Sequence, residues 1–215
     1  QAAEIIDQSE RPLIFAGHGI ILSDAADDLR KFAEKSGTPV VNTLLGLGSI
    51  APDHVLSYGM MGMHGSYWAN HAASNADVII GLGMRMDDRA LGRFEDMNPT
   101  AKIIHVDIDP AEHQKNLETH VPIVGNVSDV LKQLTNAVQK ATHPDWLSWI
   151  DDLRIGHRAS MSVPEGPELT AQYAIARIAD YIGTESVLCT GVGQHQMWSA
   201  QFGAISRPRQ FITSG

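Results

Sequence analysis

The sequence predicts an α/β chain: a doubly wound parallel sheet followed by a partial second α/β unit. Three observations predict it. Short apolar runs alternate with stretches of helical spacing. The runs are continuously apolar, as strands buried on both faces require. Glycines recur where those runs end, at the turns from strand to helix.

Pro12 to Gly17 (PLIFAG) reads as the first strand. Leu22 to Ser36 reads as a helix, with Leu29, Phe32 and Ala33 on one face and Ser23 as its N-cap. Pro39 to Thr43 is a second strand, Ala76 to Gly83 a third, Lys102 to Asp109 a fourth and Val121 to Gly125 a short fifth. Val127 to Ala141 has helical spacing, with Val130, Leu131, Leu134 and Val138 as its apolar stripe. These elements make residues 1–141 a first domain. Residues 142–168 read as a linker, because Pro144, Pro164 and Gly166-Pro167 are breaks; a Trp-containing helix (Trp146 to Arg158) lies between them. Residues 169–215 open a new unit. Its helix, Glu168 to Tyr181, is expected to face Ala174, Ile175, Ile178 and Ala179 inward, and its strand is Val187 to Thr190. The chain starts at Gln1 without Met and stops at Gly215 just after an apolar run, so it reads as an excised segment of a longer protein.

Composition excludes several classes. The formal net charge is −9 and no stretch is basic, which leaves nothing to neutralise a nucleic-acid backbone. No apolar run approaches the roughly 18–20 residues a membrane helix needs. Cys189 is the one cysteine, so no internal disulfide can form, as suits a reducing compartment. The ten histidines show neither H-x-x-x-H nor H-E-x-x-H spacing, and no metal site is expected. Nucleophile-elbow and P-loop signatures are missing too.

In a doubly wound sheet, ligands sit at the carboxyl ends of the strands. The residues there are Gly17-His18-Gly19, Thr43 to Gly48, Gly81 to Arg85, and Asp107-Ile108-Asp109. The glycines have two readings: ordinary strand-to-helix turns, or sites where the backbone must approach a phosphate or an adenine. Their spacing is not the G-x-G-x-x-G of a dinucleotide dehydrogenase. Asp107 suits a ribose hydroxyl, while Asp109 ahead of Pro110 also suits a helix cap. Arg85, Asp87, Asp88 and Arg89 form either a solvated charged loop or a ligand contact, with Arg85 matched to phosphate. His64, within Met60-Met61-Gly62-Met63-His64-Gly65, is either structural or a partner for a flat cofactor, and His105 reads as a packed core residue. On the residues alone, the first 140 positions bind a nucleotide-like ligand and hold no catalytic set.

Several strings make the chain resemble a known family. They are G-M-M-G-M-H-G (59–65), G-L-G-M-R-M-D-D-R (81–89), T-L-L-G-L-G (43–48), D-I-D-P-A-E (107–112) and T-G-V-G-Q-H-Q-M-W (190–198), with R-P-R-Q at 207–210. Together they resemble the catalytic subunits of the acetolactate (acetohydroxyacid) synthase family. The resemblance implies a Rossmann-like FAD-binding middle domain and the start of a thiamine-diphosphate-binding domain. It implies condensation of two 2-keto acids with loss of CO2, in branched-chain amino-acid synthesis. It also implies a largely structural FAD, a bacterial cytoplasmic setting, and a homodimer or tetramer with a possible regulatory subunit. Related carboligases for glyoxylate or sulfoacetaldehyde, and a non-catalytic nucleotide-binding module, are the alternatives.

Carried over by motif, FAD would meet Gly17, Gly19, Thr43, Leu44, Met61, Gly62, Met63, His64, Gly83, Arg85, Asp87, Asp107 and Ile108. Asn126 stands where the family often has aspartate. Arg89 resembles the arginine of the substrate channel. Val192, Gly193, Gln194 and His195 match residues that meet thiamine diphosphate. The family's activating glutamate, and the motif that holds Mg2+, would lie outside these 215 residues, so the chain alone is expected to be inactive.

Overall fold

The computed structural model describes residues 1–87, 98–164, 166 and 168–214. After α1 (Ala2–Asp7), six strands form one parallel sheet: β1 (Pro12–Ala16), β2 (Val40–Asn42), β3 (Ser57–Met60), β4 (Val78–Leu82), β5 (Lys102–Asp107) and β6 (Val121–Val124). Their order is β3-β2-β1-β4-β5-β6. The order reverses between β1 and β4, which is where a doubly wound sheet opens toward a ligand.

Period-two alternation divides the core into two layers. On β1, Ile14 and Ala16 face one layer with Leu29, Phe32 and Ala33 of α3 (Ala26–Ser36) and Leu131 and Leu134. The last two lie on a helix at Val127–Ala137, labelled α5 below. Leu13 and Phe15 face the other layer, with Trp68, Ala69 and Ala72 of α4 (Tyr67–Asn75). Strand β1 is buried at every residue, as its continuous apolar run requires.

The structure changes three sequence expectations in detail. The single helix expected from Leu22 is broken into α2 (His18–Leu22) and α3, with Asp24 between them in a left-handed conformation (φ 52°). Ser23 is therefore no N-cap; its Oγ donates to Gly19 O at 2.6 Å and closes α2. Strand β3 is an element that no continuous apolar run predicts. Its Ser57 and Gly59 have poor strand propensity, Gly59 sits at φ 80°, and the register with β2 is irregular. Asn126 Oδ1 caps α5 by accepting from Ser128 N, and the helix ends at Ala137.

Within residues 142–168, α6 (Pro144–Gly156) packs on the sheet. Trp146 and Ile150 are buried, and Trp146 Nε1 donates to Pro12 O at 2.9 Å. Tyr58 of β3 lies under the Arg154 guanidinium, 5.4 Å from the ring centroid. Burial first, and nearby Asp151 second, push the Tyr58 hydroxyl up to about 12. Arg154 Nη2 also lies 2.9 Å from Asp151 Oδ1, in a geometry that is ionic and not a directed hydrogen bond.

Helix α7 (Ala171–Ile182), a two-stranded parallel sheet of β7 (Leu188–Cys189) and β8 (Phe211–Ile212), and α8 (Gln194–Phe202) follow. Helix α7 buries no residue, and Ile178 is 54% exposed. The inward face expected for Ala174, Ile175, Ile178 and Ala179 is thus a face without a full sheet to cover it. No helix among the described residues is long and apolar enough to cross a membrane.

Candidate functional site

The carboxyl ends of all six strands lie side by side. At the usual parallel spacing they form a row of roughly 24 Å. Met61 N donates to Asn42 O and Thr43 N to Ala16 O. Gly17 N donates to Leu82 O, Gly83 N to Val106 O, and Gly125 N to Asp107 O. These bonds place the turns after β3, β2, β1, β4, β5 and β6 in one series. Every described residue expected to meet FAD falls in that series. Met61 to His64 follow β3, Thr43 and Leu44 follow β2, and Gly17 and Gly19 follow β1. Gly83, Arg85 and Asp87 follow β4, Asp107 and Ile108 end β5, and Asn126 follows β6. Arg89 lies outside the described residues.

The glycines at the switch point face each other. A Cβ on Gly19 would come within 2.6 Å of Gly83 Cα, and one on Gly17 within 2.5 Å of Met84 Cβ. Gly19 N donates to Gly83 O at 2.9 Å, and Gly83 holds φ 58°. The turn reading of these glycines is therefore physically sufficient: they let two strand ends touch. Their amides already donate to carbonyls and leave anion binding to other groups. Arg85 is exposed and supplies a guanidinium at the same edge.

Two apolar side chains stand in solvent here, Met63 at 71% exposure and Ile108 at 70%. His64, Arg85 and Asn126 are exposed beside them. Asp107 Oδ1 accepts from Asp109 N, and Asp109 Oδ1 accepts from Ala111 N, so the capping reading of Asp109 holds. The row is an open edge with an apolar, cationic and carboxylate complement, and this donor set fits a long, flat, anionic dinucleotide.

Sequence reasoning missed the residues that hold these loops. Asn70 on α4 accepts from Gly62 N and donates to Gly62 O, both at 2.9 Å, and so fixes the Met61–His64 loop. The available signal was Ser66, which caps α4 by accepting from Ala69 N. Gln201 Nε2 on α8 donates to His64 O at 2.8 Å. His105 is fully buried, as expected, and its Nε2 bonds Met84 O at 2.8 Å, bracing the loop after β4. Burial holds the His105 ring below its ordinary basicity, and the His113 ring, 4.8 Å away between centroids, lowers it further. Among the described residues, no cluster of three or more His, Cys, Asp or Glu could hold a metal ion.

The second candidate set, Val192, Gly193, Gln194 and His195, forms the exposed turn from β7 into α8. Gly193 has φ 149° and its Cβ position is 3.0 Å from the His195 ring. The C-terminal unit meets the strand-end row through the Gln201 bond, and the turn between α2 and α3 through an Arg209–Asp24 ion pair. Burial, then Arg209, lower the basicity of nearby His18.

Residues 1–134 match the family model described as "Thiamine pyrophosphate enzyme, central domain". The chain belongs to the thiamine pyrophosphate enzyme family. The whole chain is 41% identical to the acetolactate synthase large subunit of Corynebacterium glutamicum and 40% identical to an acetolactate synthase of Mycobacterium leprae; it covers 35% of each. It is 39% identical to the chloroplastic acetolactate synthase 1 of Oryza sativa subsp. japonica and covers 34% of it. The chain thus spans about a third of the length of these curated relatives. The central-domain match spans all six strands of the large sheet.

Proposed function

We propose that this chain is the cofactor-binding middle portion of an acetolactate synthase catalytic subunit, which joins two 2-keto acids with loss of CO2. The observation that carries the reading is identity near 40% along the whole chain to proteins of that name. Residues 1–141 serve as the FAD-binding domain, 142–168 as the connection, and 169–215 as the opening of the thiamine-diphosphate domain. In this reading the substrates are 2-keto acids, and the complete protein is a cytoplasmic homodimer or tetramer with a regulatory partner.

FAD lies along the strand-end row in this reading. Arg85 faces its diphosphate with a planar fork that matches phosphate oxygens. Asp107 accepts from a ribose hydroxyl, and Met61, Met63 and Ile108 cover flat rings with polarizable or aliphatic surface. Asn126 hydrogen-bonds without adding charge, and Arg89 guides keto acids. Val192 to His195 hold the thiamine diphosphate, which when bound supplies the electron sink for decarboxylation. Mg2+ comes with it in the complete protein, on ligands outside these residues.

Titration of the chain with FAD, followed by flavin fluorescence, tests the binding reading. Saturable binding is expected, weakened about tenfold by Arg85→Ala, as loss of one charge-assisted bond to phosphate implies. Equal affinity of the variant would refute the assignment of Arg85. An assay with pyruvate, thiamine diphosphate, Mg2+ and FAD is expected to yield no acetolactate from this chain; clear product would refute the division of labour.

A further inference from the structure

A cleft of about 610 Å3 lies between β3, α6 and α8, beside the ends of β2 and β3, where Leu47 and Met60 line it. It shares no residue with the sets assigned above to FAD or thiamine diphosphate. Its floor is apolar and buried: Met60, Trp68 and Ile205 are each less than a tenth exposed. Arg154 and Arg158 stand at its mouth. The volume falls within the range of small-molecule sites, which runs from about 300 to 1,000 Å3.

Charge decides what such a cleft would take. The chain carries a formal net charge of −9, yet no carboxylate lines this cleft among the described residues. Arg154 is engaged by Asp151 and the Tyr58 ring. Arg158 makes no ion pair among the described residues, so its guanidinium is the cation left for a ligand. A neutral apolar ligand would leave this group unused, and a small polar keto acid would leave the Met60–Trp68–Ile205 floor wet.

We propose that the cleft binds a small amphipathic carboxylate, with its hydrocarbon body on Met60, Trp68 and Ile205 and its anionic head on Arg158. The site is independent of the cofactor reading. It differs from the strand-end row in taking a single negative charge on a mainly apolar body.

Calorimetric titration of the 215-residue chain with octanoate, octan-1-ol and acetate tests it. Octanoate is expected to bind saturably, and octan-1-ol about threefold to fivefold more weakly, the range an exposed ion pair supports. Acetate, lacking the body, is expected to show no saturable binding. Arg158→Gln is expected to bring octanoate down to the affinity of octan-1-ol while leaving octan-1-ol unchanged, and Arg158→Lys to retain most of the difference. Amide shifts on octanoate binding are expected at Ser66 and Trp68. Equal affinities for octanoate and octan-1-ol, indifference to Arg158→Gln, or shifts confined to Ile178 and Ile182 of α7 would each overturn the proposal.

Discussion

Helices α3 and α7 have similar amphipathic patterns and meet opposite surroundings. Helix α3 lies on a six-stranded sheet and buries Leu29, Phe32 and Ala33 completely. Helix α7 lies beside two strands of two residues each and buries nothing. Both have sound ends: Gly37 closes α3 in a left-handed conformation, and Thr170 caps α7 by accepting from Tyr173 N. Local sequence therefore produces the helix in each case, and burial depends on how much sheet is present to receive its apolar stripe. Most helical stability in proteins comes from that packing.

The sharpest way to break this comparison is to truncate one side chain from each helix. Phe32→Ala is expected to destabilise the chain by about 3–5 kcal/mol, the usual cost of emptying a packed aromatic site. Ile178→Ala, at a half-exposed site, is expected to cost less than about 0.5 kcal/mol. Urea unfolding of both variants measures the difference; equal losses would show that α7 is as well packed as α3.

A smaller effect is expected at the strand ends. Gly17→Ala puts a methyl group against Met84 Cβ and the Gly83 backbone, and overpacking of this kind costs about 1–3 kcal/mol. Alanine at Gly156, where a Cβ meets nothing within 4 Å, is the matched control and is expected to be neutral or slightly stabilising. Thermal unfolding that does not distinguish the two variants would mean the turns can part freely.

The subtlest difference is in pH. Burial favours the neutral ring of His105, so the folded chain takes up this proton less readily than the unfolded chain. Stability is then fully present above the ordinary histidine value of 6.5 and declines as pH falls through it. His105→Asn is expected to flatten the dependence of unfolding free energy on pH between about 5 and 7, the span of histidine titration. A slope unchanged in the variant would assign the effect to other histidines, such as His18.

The fold was legible where apolar runs were continuous. Five of the six strands follow directly from runs such as PLIFAG and KIIHVD, because a strand buried on both faces has no polar position to interrupt it. Strand β3 was illegible because its residues include Ser57 and Gly59 and its pairing with β2 is irregular. The break between α2 and α3 was hidden because Asp24 adopts a left-handed conformation that the helical spacing does not reveal. The candidate site was legible through its end-of-strand motifs. Of the groups that brace it, Asn70 acts across 8 residues, with the Ser66 cap as its local signal, and Gln201 acts across 137 and leaves no local pattern.

Sequence alone determined the type of most elements, the glycine-bearing strand ends and the family resemblance, because these depend on neighbouring residues and on short contiguous strings. Tertiary structure alone decided the strand order, the mutual packing of Gly17, Gly19 and Gly83, the docking of Trp146 on the sheet and the exposure of α7. Each of those depends on which surfaces meet, and surfaces far apart along the chain meet only when the sheet has formed.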